Sequence, residues 1–160
     1  MKRGGGKRSG AAAAYVIDTN FYIRAFREAA FGEWFRSWHR EALARLAMSA
    51  VVLHELLVGA LDDQRRHMVE SVYAGAFRRR DRLILPSERT WSRAAESHRA
   101  IRGMGGFDHK LKLRSFANDL LIAHTCREVG ATLVTANSED FDLIRRVTGV
   151  RSVFELPDIE

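Results

Sequence analysis

"LLIAHTCREVGATLVTANSEDFDLIRRV" (residues 120–147) changes its period twice. Leu120 to Val129 places apolar residues at helical spacing and stops at Gly130, a residue suited to a left-handed helix cap. "ATLVT" (131–135) is a short apolar, partly β-branched run and reads as a strand. "SEDFDLIRRV" (138–147) returns to the helical period. Helix, strand and helix in such quick succession ask for a parallel sheet covered by helices.

The same alternation runs outward in both directions. Tyr15–Ile17 reads as a first strand, and apolar residues from Phe21 to Phe35 as a helix or helical hairpin. Phe35, Trp38, Ala42 and Leu46 continue at helical spacing. "MSAVV" (48–52) is predicted as a second strand, running into a helix that carries Leu53, Leu56, Leu57 and Ala60. Met68, Val69, Val72, Tyr73, Ala76 and Phe77 form a further helical stripe. "RLIL" (82–85) is a third strand stopped by Pro86, and Ser87 starts a helix with Trp91, Ala94, Ala95, His98 and Ile101. "GMGGFDHKLKLRS" (103–115) is glycine-rich and then basic, and reads as a mobile loop. "RSVFEL" (151–156) is a candidate fifth strand. The expectation is a three-layer α/β/α sandwich around a parallel sheet of four to five strands, with residues 13–160 forming one domain.

Composition narrows the classes. A chain of 160 residues, 46% hydrophobic and 29% charged, suits one globular domain. A single cysteine, Cys126, excludes an internal disulfide and any multi-cysteine metal site, and fits a reducing cytoplasm. No apolar run reaches the ~20 residues that span a bilayer. Four of the 26 basic residues, Lys2, Arg3, Lys7 and Arg8, sit in "MKRGGGKRSG" without an acid beside them. The remaining 22 face 20 acids, so the net charge of +6 is largely a property of residues 1–12, read as a disordered basic tail. That tail is not expected to be an export signal, because "AAAAYVI" runs into Asp-Thr-Asn rather than a cleavage site.

In a parallel α/β sheet, chemistry gathers beyond the carboxyl ends of the strands. Asp18 follows the first strand, Glu55 lies shortly after the second, Asp119 starts the helix before the fourth, and Asp140 follows the fourth. Each has an ordinary structural explanation. Asp18 fits a helix cap, Glu55 an exposed helical position, Asp119 a favourable helix-dipole site, and Asn137 with Asp140 a capping box. Together at one sheet edge they would repel, and a divalent cation would relieve that repulsion. Mg²⁺ or Mn²⁺ suits an all-oxygen donor set. His54 begins no H-E-x-x-H motif, and His98 and His124 read as packing or surface residues. A phospho-aspartate enzyme built on Asp18 would want a second acid at residue 20, which is Asn.

"VIDTNFYI" (16–23), "MSAVVLHELLVGA" (48–60) and "ANDLLIAHTCREVGATLVTANSEDFDLI" (117–144), in that order, resemble PIN-domain ribonucleases, and most closely the VapC-type toxins of type II toxin–antitoxin pairs. The resemblance implies that Asp18, Glu55 and Asp119 are the family's metal-site acids and that Asp140 is the more variable fourth, with Asn137 beside it as an alternative for that role. Asn20 and Thr135 match polar residues that orient the site. The resemblance further implies Mg²⁺- or Mn²⁺-dependent cleavage of RNA, an antitoxin partner that blocks the site, and usually a homodimer; the expected location is the cytoplasm. Lys110, Lys112 and Arg114 are candidates for phosphate contacts, with Arg24 a weaker one, against the alternative of plain solvent exposure. The competing class is a degenerate domain that binds RNA or protein without cutting.

Overall fold

The computed structural model describes residues 13–158, so the expected tail at 1–12 lies outside the described residues. Tyr15–Ile17 forms the central strand, β1, with Val16 and Ile17 buried. β2 (Leu46–Ser49) flanks it on one side and β4 (Thr132–Val134) on the other, with β3 (Leu83–Ile84) and β5 (Ser152–Val153) at the edges. Every pairing is parallel, and Val16 sits opposite both Ala47 and Leu133.

The connections fix the layers. α1 (Thr19–Arg27) and α2 (Ala29–Ala42) join β1 to β2. α3 (Ala50–Gly59), α4 (Asp63–His67), a π-helical stretch (Met68–Ala74) and α5 (Gly75–Arg78) join β2 to β3. α6 (Glu88–Met104), α7 (Asp108–Leu111) and α8 (Arg114–Val129) lead back across the sheet to β4, and α9 (Ser138–Thr148) leads on to β5. The chain thus steps one way from β1 to β3 and the other way from β4 to β5. Right-handed crossovers then put α1–α5 on one face and α6–α9 on the other. The packing agrees: α1 lies against α2 and α3, and α8 against α6 and α9. This is the expected three-layer sandwich. Its direction reverses between β1 and β4, and the crevice beyond those two strands is where such a sheet can receive a ligand.

Each layer has its own core. Tyr22, His39, Tyr73 and Phe77 interlock edge to face with centroids 5.0–5.7 Å apart, while Phe116, Leu120, Ile122, Phe141 and Ile144 are buried in the other layer. Gly32 lets α1 and α2 close on one another, because a Cβ there would meet the Ala25 carbonyl oxygen at 2.3 Å.

Four sequence expectations shift. The second strand begins two residues earlier than "MSAVV" and ends at Ser49, whose side chain accepts from the Val51 amide and caps α3. Val51 and Val52 are therefore helical; their bulk is buried either way, so the apolar run could not choose between strand and helix. The stripe at 68–77 adopts a π register through Ala74, which leaves Val72 exposed while Val69, Tyr73 and Phe77 are buried. The segment 103–115 is not a plain loop. Gly105 and Gly106, both at positive φ, turn the chain into α7, and α8 already begins at Arg114. The third and fifth strands shrink to two residues each. Gly130 does end α8 in the left-handed conformation, at φ 71°.

Candidate active site

Asp18 stands where β1 meets the crevice. Its amide still pairs with the Val134 carbonyl, extending the sheet by one rung. Its side chain then turns to the N-terminus of α1, where Oδ1 accepts from the Thr19 amide at 2.7 Å. Oδ2 accepts from the Thr135 hydroxyl at 2.6 Å and the Asn20 amide group at 3.1 Å. The cap and the site are therefore one arrangement. Thr135 directly follows β4, so its bond to Asp18 ties the ends of the two strands together across the reversal point. Its hydroxyl oxygen accepts from Asn20 and from the Asn137 amide, and Asn20 receives the Ala136 amide in return. Asp18 is 3% exposed, and this burial raises its pKa to about 6 although Thr135, Thr19 and Asn20 pull the other way.

Glu55 reaches in from α3. Its Oε2 accepts from the Thr19 hydroxyl at 2.5 Å, and its Oε1 from the Asn118 amide group at 2.9 Å. Asp119 projects from the second turn of α8. It is 8% exposed, and among the described residues no donor reaches its carboxylate. Burial, and then the charges of Asp18, Glu55 and Asp140, raise its pKa to about 9. Asp18, Glu55 and Asp140 thus stand near enough to Asp119 for their charges to act on it. Asp140, in the first turn of α9, differs in kind. Its Oδ1 accepts from Lys110 Nζ at 2.5 Å and its Oδ2 from the Asn137 side chain at 3.0 Å. Burial acts to raise its pKa, but these hydrogen bonds outweigh it and hold the group below its ordinary value.

The sequence-predicted residues thus converge in part. Asp18, Asn20, Thr135 and Asn137 form one hydrogen-bonded network that continues to Asp140, and Thr19 links Asp18 to Glu55. Lys110 bonds to acids, while Lys112 and Arg114 are exposed on the approach to α8. Arg24 pairs with Glu28 at 3.0 Å and lies over the Phe31 ring. The histidines serve elsewhere: His124 bonds to Ser97, and His98 to the Leu111 carbonyl. Cys126 is buried, and that burial pushes its thiol pKa up and leaves it inert. Thr19 and Asn118 are the residues that sequence reading missed. Asn118 directly precedes Asp119 on α8, so a helix that aims Asp119 at the crevice brings residue 118 within reach of α3 as well.

Among the described residues, no three His, Cys, Asp or Glu side chains stand close enough to enclose an ion unaided. The donor set nevertheless fits a hard divalent cation, because Mg²⁺ needs only one or two carboxylates and completes its shell with water and phosphate oxygens. Asp119, 8% exposed, without a protein donor and pressed by the charges of three other acids, is the group such an ion would stabilise. An apolar recess of about 110 Å³ opens beside Glu55, lined by Ile23, Phe26 and Leu56 and flanked by Arg27 and Arg65.

A parallel three-layer sandwich that collects carboxylates from separate elements at its reversal point defines a class of acid-centred α/β domains. This chain belongs to the PIN domain family, whose model matches residues 15–147. It is 33% identical over 140 residues to a VapC ribonuclease of Mycobacterium bovis and to ribonuclease VapC11 of Mycobacterium tuberculosis, covering 86% of this chain and 96% of each relative. The fold is shared with FitAcB from Neisseria gonorrhoeae, at a TM-score of 0.63 and 19% identity over 86% of this chain and 95% of that one. It is also shared with DNA-bound VapBC from Salmonella typhimurium, at a TM-score of 0.55 and 23% identity over 88% and 97%.

Proposed function

We propose that this chain is a Mg²⁺- or Mn²⁺-dependent endoribonuclease and the toxin of a type II toxin–antitoxin pair. Asp119 carries the reading: a carboxylate only 8% exposed and without a protein donor, pressed by the charges of Asp18, Glu55 and Asp140, is the group a cation would stabilise most. The identity with VapC ribonucleases over most of both chains supports the same reaction.

Asp18 and Asp119 would hold the ion, with Glu55 beside them. A divalent ion held there would supply a lowered pKa for a bound water and charge stabilisation for the phosphate. The chain's own groups do the rest. Thr135 and Asn20 fix the Asp18 carboxylate so that it cannot turn away. Thr19 and Asn118 pin Glu55, which leaves its remaining lone pairs aimed for orienting the attacking water and receiving its proton. Exposed Lys112 and Arg114 contact flanking phosphates. An antitoxin segment lodged in the recess beside Glu55 would exclude RNA from the acids, in keeping with the VapBC and FitAB complexes that share the fold. The active form is a homodimer and its substrate is cytoplasmic RNA. Among the described residues no helix is long and apolar enough to cross a membrane.

Asp18→Asn and Asp119→Asn test the site. Both variants should fold and lose Mg²⁺-dependent cleavage of single-stranded RNA by at least about a hundredfold, the scale of losing an electrostatic contact in the transition state. Full activity in either would remove that acid from the metal site.

A further inference from the structure

The four acids are not equally provided for. Asp18 and Glu55 have both oxygens engaged by neutral donors. Asp119 has no partner among the described residues. Asp140 alone has a built-in cation, Lys110 Nζ, at 2.5 Å, and the same ammonium lies 2.8 Å from Glu139.

Lys110 is delivered to that position by its surroundings. The left-handed Gly105 and Gly106 turn the chain out of α6 and into α7. Phe107 and Leu111, at the two ends of α7, pack against the core, and the His98 ring bonds to the Leu111 carbonyl at 3.2 Å. Between these anchors the Lys110 side chain is only 15% exposed, whereas its partner Glu139 is 83% exposed. The ammonium has three protons to give, and Asp140 and Glu139 take two of them.

We infer that Lys110 Nζ, seated on Asp140 and Glu139, is the second cation of the acid cluster, so that the centre takes a single divalent ion at its Asp119 end. This inference rests on the metal-dependent reading above. A two-ion phosphodiester site places its metals about 3.5–4 Å apart, so a second ion beside one at Asp119 would draw on the carboxylate at the α9 end. Here the carboxylate at the α9 end is already charge-paired on Oδ1 and hydrogen-bonded on Oδ2. A second ion there would have to expel an ammonium that α7 holds in place. The lysine instead keeps Asp140 and turns its third proton towards a phosphate oxygen, a task its compact point charge suits. Asp140 is thereby a positioning residue for Lys110.

Calorimetric titration of the full chain with Mn²⁺, carried to millimolar concentration, separates the possibilities. Wild type should bind one Mn²⁺ per chain, and Asp119→Asn none. Lys110→Met and Lys110→Gln, the latter preserving a hydrogen-bond donor, should each gain a second and weaker ion. Lys110→Arg, which restores the charge, should return to one. Circular dichroism checks that each variant is folded. Two ions in wild type, or a single ion in both Lys110→Met and Lys110→Gln, overturns the inference. No ion in wild type overturns the metal-dependent reading itself, and this inference falls with it.

Discussion

Asp119 shows how a buried acid can burden a fold. Its carboxylate titrates near pH 9 in the folded chain and near the ordinary carboxylate value in the unfolded one. Between those limits the folded state holds the extra proton, so the stability contributed by this group is greatest in acid and is lost as pH rises. Asp18, raised to about 6, acts in the same direction over a narrower window. Asp119→Asn should therefore raise the melting temperature in EDTA at pH 8, by about 2–4 °C for each kcal/mol relieved in a domain of this size. Added Mg²⁺ should stabilise wild type and not the variant. A lower melting temperature for the variant in EDTA would mean that the carboxylate is compensated in the metal-free chain. That Asp18 closes β1 and that Asp140 opens the helix after β4 were legible in the sequence, because each sits at a change of period. Thr19 and Asn118 were not, because their partner Glu55 lies 36 and 63 residues away and only the packing of α3 against α1 and α8 joins them.

At the scale of elements, boundaries were lost where one physical requirement admits two conformations. Val51 and Val52 need burial, which β2 or α3 could supply, and the Ser49 cap decides for helix. α7 was hidden because four residues are too few for a period, and its role depends on the turn at Gly105 and Gly106. Gly130, by contrast, announced the end of α8, since a left-handed cap favours a residue without Cβ. Glycine also distinguishes two elements by test. Gly32→Ala forces a Cβ against the Ala25 carbonyl oxygen and should destabilise the α1–α2 hairpin by roughly 1–3 kcal/mol. Gly59→Ala, at the end of α3 with nothing within 4 Å, should be neutral or stabilising by up to about 1 kcal/mol. Urea midpoints for the two variants check both signs. Equal effects would show that the helical hairpin can spread to accept the methyl group.

Across the whole molecule the alternation of elements was plain enough to give the sandwich and the parallel sheet. The strand order, and with it the reversal between β1 and β4, follows from long-range pairing that no local window contains. The core of the α1–α5 layer adds an acid limit to stability. His39 is buried among Tyr22, Phe35, Tyr73 and Phe77, bonds to the Tyr22 hydroxyl at 3.1 Å, and has its pKa lowered by that burial to about 4. The unfolded chain takes up this proton near pH 6.5, so between 6.5 and 4 it binds more protons than the folded one. Stability should be fully present above pH 6.5 and fall by up to roughly 3 kcal/mol on acidification to pH 4. His39→Gln, which keeps a partner for Tyr22, should flatten that limb in urea titrations at stepped pH. An unchanged limb would assign it to other groups. Finally, the Thr135–Asp18 bond joins residues 117 apart in the chain. A ribosome adding about 5–20 residues per second makes the second of these roughly 6–23 seconds after the first. Throughout that interval the growing polypeptide lacks the β4 end of the crevice, so the network around Asp18 can close only late in synthesis.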